Sequence, residues 1–211
     1  VSSNEVLKTI KQVFINQVLF GIPFMILAHH VRVWRGYDSR KIIPSFQRVF
    51  FEITAFALLD EVIFYYFHRL LHHPRLYKYI HKRHHEWTTP IAIAALYCHP
   101  IEHYLCNLMP AYIGPLLLRS HTFTVWIWYS IALMTTVNAH SGFHFPFFFS
   151  PESHDYHHSK FNQNFGALGI LDFLHGTNSE FRKSNHYRRH FTTFSLVPLK
   201  QLYPDESKKL T

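Results

Sequence analysis

The sequence predicts an all-α integral membrane protein with about four transmembrane or re-entrant helices and a histidine-rich cap that binds two metal ions. Two observations carry this prediction. Long apolar stretches alternate with short basic connections, and many of the 19 histidines are concentrated in clusters that follow those stretches. A helix needs about 20 mainly apolar residues to cross a bilayer. The apolar stretches cover residues 13–31, 49–67, 91–118 and 122–139.

The first two stretches and their connection predict membrane helices joined by a loop. Pro23 should kink the first helix, which membrane helices tolerate, and residues 32–48 contain Gly36 and Pro44, which favour a loop. In the second stretch Glu52, Asp60 and Glu61 are expensive in lipid, so we expect them to face protein. The chain then divides into an N-terminal membrane segment with a basic loop, residues 1–48, and a catalytic unit, residues 49–211.

The charge distribution indicates a membrane surface as the partner. The formal net charge is +8, which suits either nucleic acid or anionic lipid. Basic residues such as Arg32, Arg35, Arg40 and Lys41 lie beside apolar stretches, and no nucleic-acid recognition motif is present. We therefore expect a bilayer and no nucleic acid.

Eleven histidines form the candidate metal site. Residues three or four apart lie on one face of a helix, so each group should present its imidazoles from one face. Four ligands close one zinc site, so the number predicts two metals. Imidazole suits iron, zinc, copper and nickel alike. In the first histidine box, HRLLHH at residues 68–73, the spacing leaves open whether His72 or His73 is the second ligand. The candidate ligands are His68, His72, His73, His81, His84, His85, His140, His144, His154, His157 and His158.

Other polar residues are candidates to orient those ligands. Asp60, Phe64 and His68 share a helical stripe, so Asp60 could orient His68 or simply pair helices. The segment HPIEH matches the HxxEH signature of zinc proteases, but Pro100 and the larger histidine system argue against a protease. Asp172 has either an orienting or a structural role. The supporting candidates are Asp60, His99, Glu102, His103, Asp155 and Asp172.

Several motifs together resemble the membrane fatty acid hydroxylase superfamily, most closely its sterol C4-methyl oxidase branch. They are HRLLHH, HKRHHEWTTP, NAHSGFHFP, HDYHH and LDFLHGT, and the resemblance covers roughly residues 50–205. It implies a di-iron, O2-dependent lipid oxidase, in which zinc can replace iron after purification. It also implies 4-methyl sterol as substrate, electrons from NAD(P)H through cytochrome b5 and its reductase, and a supporting place for the HPxE stretch. One departure is His144, where methyl oxidases often have Asp.

The resemblance also implies a multi-pass protein of the endoplasmic reticulum membrane. The C-terminal KKLT, residues 208–211, resembles a dilysine retrieval signal that is read from the cytosol, which would place the histidine boxes there. His186 and His190 lie among Arg182, Lys183, Arg188 and Arg189, a pattern that predicts a solvated basic face.

Three other functions are compatible with the same residues. The first is hydroxylation of fatty acids or sphingolipids by the same chemistry. The second is a membrane zinc hydrolase, in which the metal activates water and no electron donor is needed. The third is a non-catalytic metal-binding or metal-transporting membrane protein, although transporters usually place their ligands in the middle of a span.

Overall fold

The computed structural model describes residues 1–194, 197 and 199–204, and this part of the chain is helical without β-strands. The dilysine motif lies outside the described residues. The α and π segments are Ser3–Ile15, Asn16–Gly21, Ile22–Arg35, Phe46–Leu71, Pro74–Tyr77, Pro100–Glu102, His103–Leu108, Met109–Leu117, Thr122–Ala139, Glu152–Lys160, Ile170–His175, Asn185–Arg188 and Leu199–Leu202. Short 3-10 turns lie at His81–Glu86, Ala92–Leu96 and Phe181–Lys183.

The first long helix runs without a break over Ser3–Arg35. Ser2 and Glu5 form a capping box at its start, which satisfies free backbone N–H groups. A π-helical segment, Asn16–Gly21, precedes Pro23, and the N–H of Ile22 donates to the Gln17 carbonyl. Proline lacks an N–H and crowds the preceding turn, so the wider π turn accommodates the residue that the sequence predicted to kink this helix.

The loop after this helix is shorter than predicted at both ends. Gly36 ends the first helix in a left-handed conformation, with φ 76°, which glycine adopts without the usual steric cost. The second long helix, Phe46–Leu71, begins at Ser45, whose hydroxyl accepts from the N–H of Arg48. These two caps place residues 32–35 and 46–48 in helices, so the predicted loop boundaries were wrong.

The helices that follow pack closely against the second long helix. The third long helix covers residues 100–117 and includes the π segment His103–Leu108. A Cβ on Gly114 would lie 2.7 Å from Phe56 Cδ1, so glycine is what lets the two backbones approach. The fourth long helix, Thr122–Ala139, is tied to the third by Trp128, whose Nε1–H donates to the Ala111 carbonyl at 2.8 Å.

Only one helix in the described part of the chain, Ser3–Arg35, is both long and apolar enough to cross a membrane. The predicted count of about four spans therefore stays a prediction. As predicted, Glu52 and Glu61 turn inward, with 4% and 1% of their surface exposed. Large apolar side chains point outward from all four long helices. Among them are Leu19, Leu27, Phe46, Phe50, Phe51, Leu117 and Met134.

The N-terminal helix contacts the segment that carries the second histidine box. Trp87 Nε1–H donates to Thr9 Oγ1 at 2.9 Å, and Asn16 Nδ2–H donates to the Cys98 carbonyl at 3.0 Å. Asn16 is fully buried. The division of the chain at residues 48 and 49 stays a prediction, but these buried bonds tie the first helix directly to the catalytic unit.

We predict that Gly114→Ala destabilises the packing of the second and third helices. The added methyl would meet the Phe56 ring and, at 3.1 Å, the Phe56 Cα, which cannot move without shifting a helix. Overpacking of this kind costs about 1–3 kcal/mol, so the midpoint of thermal unfolding in detergent should fall. Gly36→Asn is the control, because nothing lies within 4 Å of a Cβ there and asparagine tolerates the left-handed conformation better than most residues, so any loss should be smaller. An unchanged midpoint for Gly114→Ala would contradict this account of the packing.

Candidate metal centre

Five histidine side chains converge on one point and form the five-histidine cluster: His68, His72, His81, His85 and His157. Their Nε2 atoms are neighbours, at 3.1 Å between His68 and His81, 2.9 Å between His81 and His72, and 3.1 Å between His72 and His157. His85 Nε2 is 3.0 Å from His81 Nε2. His68 comes from the end of the second long helix, and His157 comes from the cap.

Four further histidines form a second group, the four-histidine cluster: His84, His140, His154 and His158. His154 Nε2 is 2.8 Å from His140 Nε2 and 3.0 Å from His158 Nε2, and His140 Nε2 is 3.3 Å from His84 Nε2. His140 follows the last turn of the fourth long helix. The structure thus brings together nine of the eleven candidate ligands, in two groups.

Each HxxHH box contributes to both clusters. His81 and His85 belong to the five-histidine cluster, whereas His84 belongs to the other. In the box HDYHH, residues 154–158, His157 is separated in the same way from its neighbour His158. Successive side chains on a helical turn point about 100–120° apart, so adjacent imidazoles cannot reach one point. The prediction that each group acts from one face was therefore wrong, and each box bridges the two clusters.

Backbone carbonyls fix which nitrogen of each ring carries the proton. Five imidazoles hold their Nδ1 at hydrogen-bond distance from a carbonyl oxygen, which can only accept, so each Nδ1–H donates and each Nε2 keeps a lone pair. The pairs are His68 with Phe165 at 2.7 Å, His84 with Tyr97 at 3.3 Å, His140 with Thr136 at 2.8 Å, His157 with Gln163 at 2.6 Å and His158 with Trp87 at 3.1 Å.

Lone pairs that face one another at this distance repel unless a cation lies between them. An octahedral ion with bonds of about 2.1 Å to nitrogen has adjacent ligand atoms about 3.0 Å apart, which matches the Nε2 spacings. Burial lowers the pKa of His158 to about 3 and that of His140 to about 4, so both rings are neutral and able to bind metal at pH 7. The residues present therefore fit two metal ions.

Glu102 is the one carboxylate that contacts a ring of the clusters directly in the described part of the chain. Its Oε1 lies 2.8 Å from His81 Nδ1, and both side chains are almost completely buried. A carboxylate behind a ligating imidazole fixes the ring and strengthens it as a ligand. This is the role that the sequence analysis allowed for Glu102.

Asp172 supports the five-histidine cluster indirectly, through a loop. Its carboxylate accepts from the N–H groups of Phe165 and Gly166, at 2.8 and 2.7 Å, and so holds the loop whose Phe165 carbonyl orients His68. Glu61, which the sequence analysis did not assign to the site, accepts from Leu168 and Leu171 N–H at 2.7 and 3.0 Å. The two acids together fix one side of the cluster.

The remaining supporting candidates do not contact the clusters in the way predicted. Asp60 does not orient His68, since the Phe165 carbonyl does so. His99 caps a helix by accepting from Ile101 N–H, and His103 bonds Asn107, so the HxxEH pattern does not form a protease site. Asp155 lines a small pocket with residues of the four-histidine cluster.

His73 and His144 lie outside both clusters. The second long helix ends at Leu71, so the exposed His73 turns away and its Nδ1 accepts from the N–H of Arg75. His144 lies in a separate polar network, 3.0 Å from Ser150 Oγ and 3.2 Å from the Arg189 carbonyl. Of the two alternatives for the first box, the structure brings His72 to the cluster.

The basic segment near the C-terminus is partly buried, which corrects the prediction of a solvated face. The guanidinium of Arg189 is 1% exposed and donates to both oxygens of Glu152, at 3.0 and 3.2 Å. His186 Nδ1 lies 2.7 Å from the same carboxylate. This network packs under the helix that bears the last histidine box. Sequence spacing gave no signal for it, because Glu152 and Arg189 are far apart in the chain.

A large cavity connects both clusters to the apolar helices. Its volume is about 1290 Å³, and most of its lining is apolar. At one end lie His68, His81, His84, His140 and His154. The cavity wall includes Met25 and Ile26 from the first long helix and Ile53 and Leu58 from the second. The cavity suits a long or bulky apolar molecule.

We predict that His72→Ala, and not His73→Ala, reduces metal binding. Removing one Nε2 from the five-histidine cluster leaves an incomplete ligand set, whereas the exposed His73 contributes no atom to it. The measurement is the metal content of each purified variant after dialysis against a weak chelator. The opposite ranking of the two variants would contradict the geometry.

We also predict that Glu102→Gln weakens metal binding at the five-histidine cluster. Loss of the charge behind His81 should cost about tenfold or more in affinity, measured by competition with a chelator of known affinity. Glu86→Gln is the control, because Glu86 is exposed and pairs with Lys8 on the surface. Equal affinities for Glu102→Gln and the unaltered protein would remove Glu102 from the site.

Comparison with known proteins identifies relatives of the chain. The fatty acid hydroxylase family matches residues 53–177. Fatty acid hydroxylase domain-containing protein 2 of Macaca fascicularis is 45% identical over 96% of this chain and 61% of its own length. A protein of Dictyostelium discoideum, provisionally named a methylsterol monooxygenase, is 34% identical over 80% of this chain and 66% of its own length.

A relative with a different name is as similar to the chain as the Dictyostelium discoideum protein is. Very-long-chain aldehyde decarbonylase GL1-8 of Oryza sativa subsp. indica is 34% identical over 79% of this chain and 66% of its own length. The chain thus spans about three fifths to two thirds of the length of these curated relatives. No solved structure matches it. Both histidine clusters draw most of their members from the matched region, and the chain belongs to the fatty acid hydroxylase family.

Proposed function

We propose that this protein is an oxygen-dependent di-iron oxidase that oxidises the C4 methyl group of sterols. The observation that carries the proposal is the position of the two histidine clusters, at the end of a mainly apolar cavity of about 1290 Å³. Membership of the fatty acid hydroxylase family supports oxidase or monooxygenase chemistry. The metal, the substrate and the partners named below are parts of the proposal.

The chemistry requires a metal because no side chain is basic enough to remove a proton from an alkane carbon. Two iron ions, when bound, supply the reduction of O2 and the oxidation of the C–H bond. The five-histidine cluster would hold one ion and the four-histidine cluster the other. Iron suits a shell of imidazoles, and the nearest thiols, those of Cys98 and Cys106, belong to neither cluster.

The chain itself contributes position, protonation state and exclusion of water. Carbonyls behind five of the nine rings keep their Nε2 atoms unprotonated, and Glu102 holds His81 in place. His157 is fully buried, and His68 and His81 are 2% and 1% exposed, so bulk water is kept from the reacting end of the cavity. The apolar walls would admit a lipid from the bilayer side and hold it against this end.

A 4-methyl sterol is the substrate that we propose. One relative carries the provisional name of a methylsterol monooxygenase, and the cavity is larger than a typical ligand pocket of about 300–1,000 Å³. Stepwise oxidation would convert the methyl group to alcohol, aldehyde and carboxylate. The second candidate is hydroxylation of a fatty acid or sphingolipid, which the family name favours. Names of aldehyde decarbonylases among the relatives add cleavage of an aldehyde as an outcome to test.

The proposal also includes an electron donor and a cellular location. We propose that cytochrome b5 and its NAD(P)H-dependent reductase deliver electrons. The protein would lie in the endoplasmic reticulum membrane, with the histidine clusters on the cytosolic side. The apolar helix Ser3–Arg35 and the exposed apolar side chains of the other long helices support a membrane location. A zinc-dependent hydrolase remains distinguishable because it would need no electron donor and no O2.

The test is reconstitution of the iron-loaded protein with cytochrome b5, its reductase, NADH and a 4-methyl sterol. We expect oxidised sterol that requires both O2 and NADH, and loss of at least about 100-fold in rate for His158→Ala, because the four-histidine cluster loses one ligand. His73→Ala is the matched control and should keep its activity. Oxidation of a fatty acid or sphingolipid alone would favour the second candidate, and turnover without O2 would contradict an oxidase.

A further inference from the structure

One polar part of the cavity lining lies on the long helices and outside both histidine clusters. It consists of Gln17 on the first long helix, Asp60 on the second and His103 on the third, and we call these three residues the polar wall. The side chains around them, such as Ile22, Ala57 and Leu108, are apolar. Polar groups that face an apolar cavity usually fix the orientation of a ligand.

Two π-helical segments build most of this wall. Gln17 lies in Asn16–Gly21 and His103 in His103–Leu108, and the two segments pack against each other. A Cβ on Gly21 would lie 3.0 Å from Gln17 Oε1 and 3.7 Å from His103 Nε2, so glycine is what gives these polar atoms room. Short π segments inside α-helices occur frequently at functional sites.

His103 offers a hydrogen-bond donor that the protein does not use. Its side chain is 1% exposed, and its Nδ1 accepts from Asn107 Nδ2–H at 3.2 Å. The proton is therefore on Nε2, and Nε2 has no hydrogen-bond partner among the described residues. A buried donor without a partner costs about 1–3 kcal/mol. Such a donor in a cavity wall is explained if a ligand accepts from it.

Asp60 offers the complementary acceptor. It lines the same cavity, and no hydrogen bond or ion pair connects its carboxyl group to another residue in the described part of the chain. Asp60 shares the cavity lining with Cys106, which lies on the π segment that starts at His103. One wall therefore carries an unused acceptor and an unused donor.

The polar wall lies near the five-histidine cluster. His103 directly follows Glu102, whose carboxylate contacts His81. Asp60 precedes His68 by two turns of one helix, about 12 Å along its axis. A polar group bound at this wall would leave nearby atoms of the same molecule within reach of the metals.

We propose that the polar wall binds the hydroxyl group of the lipid substrate. The hydroxyl would donate its proton to Asp60 and accept a hydrogen bond from His103 Nε2–H, which satisfies both unused groups. The ligand class is an uncharged lipid alcohol, and a fatty acid carboxylate is disfavoured because it would meet the Asp60 carboxyl. This inference rests on the proposed lipid oxidation for the identity of its substrate, but it concerns binding and not turnover.

The experiment measures binding without chemistry. Tritiated 4-methyl sterol is bound to the purified full chain in nanodiscs under nitrogen and displaced by the unlabelled sterol, its 3-O-methyl ether or a saturated fatty acid. We expect the ether and the fatty acid to displace the label at least about tenfold more weakly than the alcohol. Asp60→Leu should abolish the difference between alcohol and ether, and Asp60→Asn should retain part of it.

Thr54→Val is the matched control. Thr54 also lines the cavity on the second long helix, but its hydroxyl already donates to the Phe50 carbonyl, so this variant should keep the preference for the alcohol. Equal binding of alcohol and ether to the unaltered protein, an unchanged preference in Asp60→Leu, or no binding of the sterol would each overturn the inference. If the unaltered protein prefers the alcohol over the ether but the reconstituted system oxidises no sterol, only the proposed function would be overturned.

Discussion

The structure depends on the convergence of imidazole nitrogens in two largely buried clusters. Nine Nε2 atoms meet in groups of five and four, with neighbours 2.8–3.3 Å apart, and this arrangement is unfavourable without a cation between them. The rest of the site keeps it in place. Backbone carbonyls set the tautomers, Glu102 fixes His81, and Asp172 and Glu61 hold the loop that orients His68. Metal binding and the fold of the cap are therefore coupled.

The two metal sites share one scaffold, since the same histidine boxes supply ligands to both clusters. Because each HxxHH box contributes to both clusters, a shift of either box would disturb both ions together. The boxes are in turn fixed by distant parts of the chain. Trp87, which follows the second box, bonds the first helix at Thr9, and Glu152, at the start of the last box, pairs with the buried Arg189. The N-terminal helix and the cap thus both determine the geometry of the centre.

The sequence was sufficient to predict the helical class and nine of the residues that the structure brings together, because histidine spacing on helices is a local property. It could not predict the division of ligands between clusters, which depends on the 3-10 geometry of His81–Glu86. It also missed the backbone carbonyls that accept from the histidine rings, since residue types do not indicate where a backbone carbonyl lies. The shared helical stripe left open whether Asp60 orients His68 or pairs helices. The stripe faces the cavity, and a loop far along the chain supplies the partner of His68.

The central claim is that the two clusters each hold one metal ion in a shell of imidazole nitrogens. Its most direct test is the metal content of the iron-loaded protein together with X-ray absorption at the iron edge. We expect two irons per chain and a first shell dominated by nitrogen at about 2.1 Å, with the ring scattering typical of histidine. One iron per chain, or a first shell dominated by sulfur, would contradict the account.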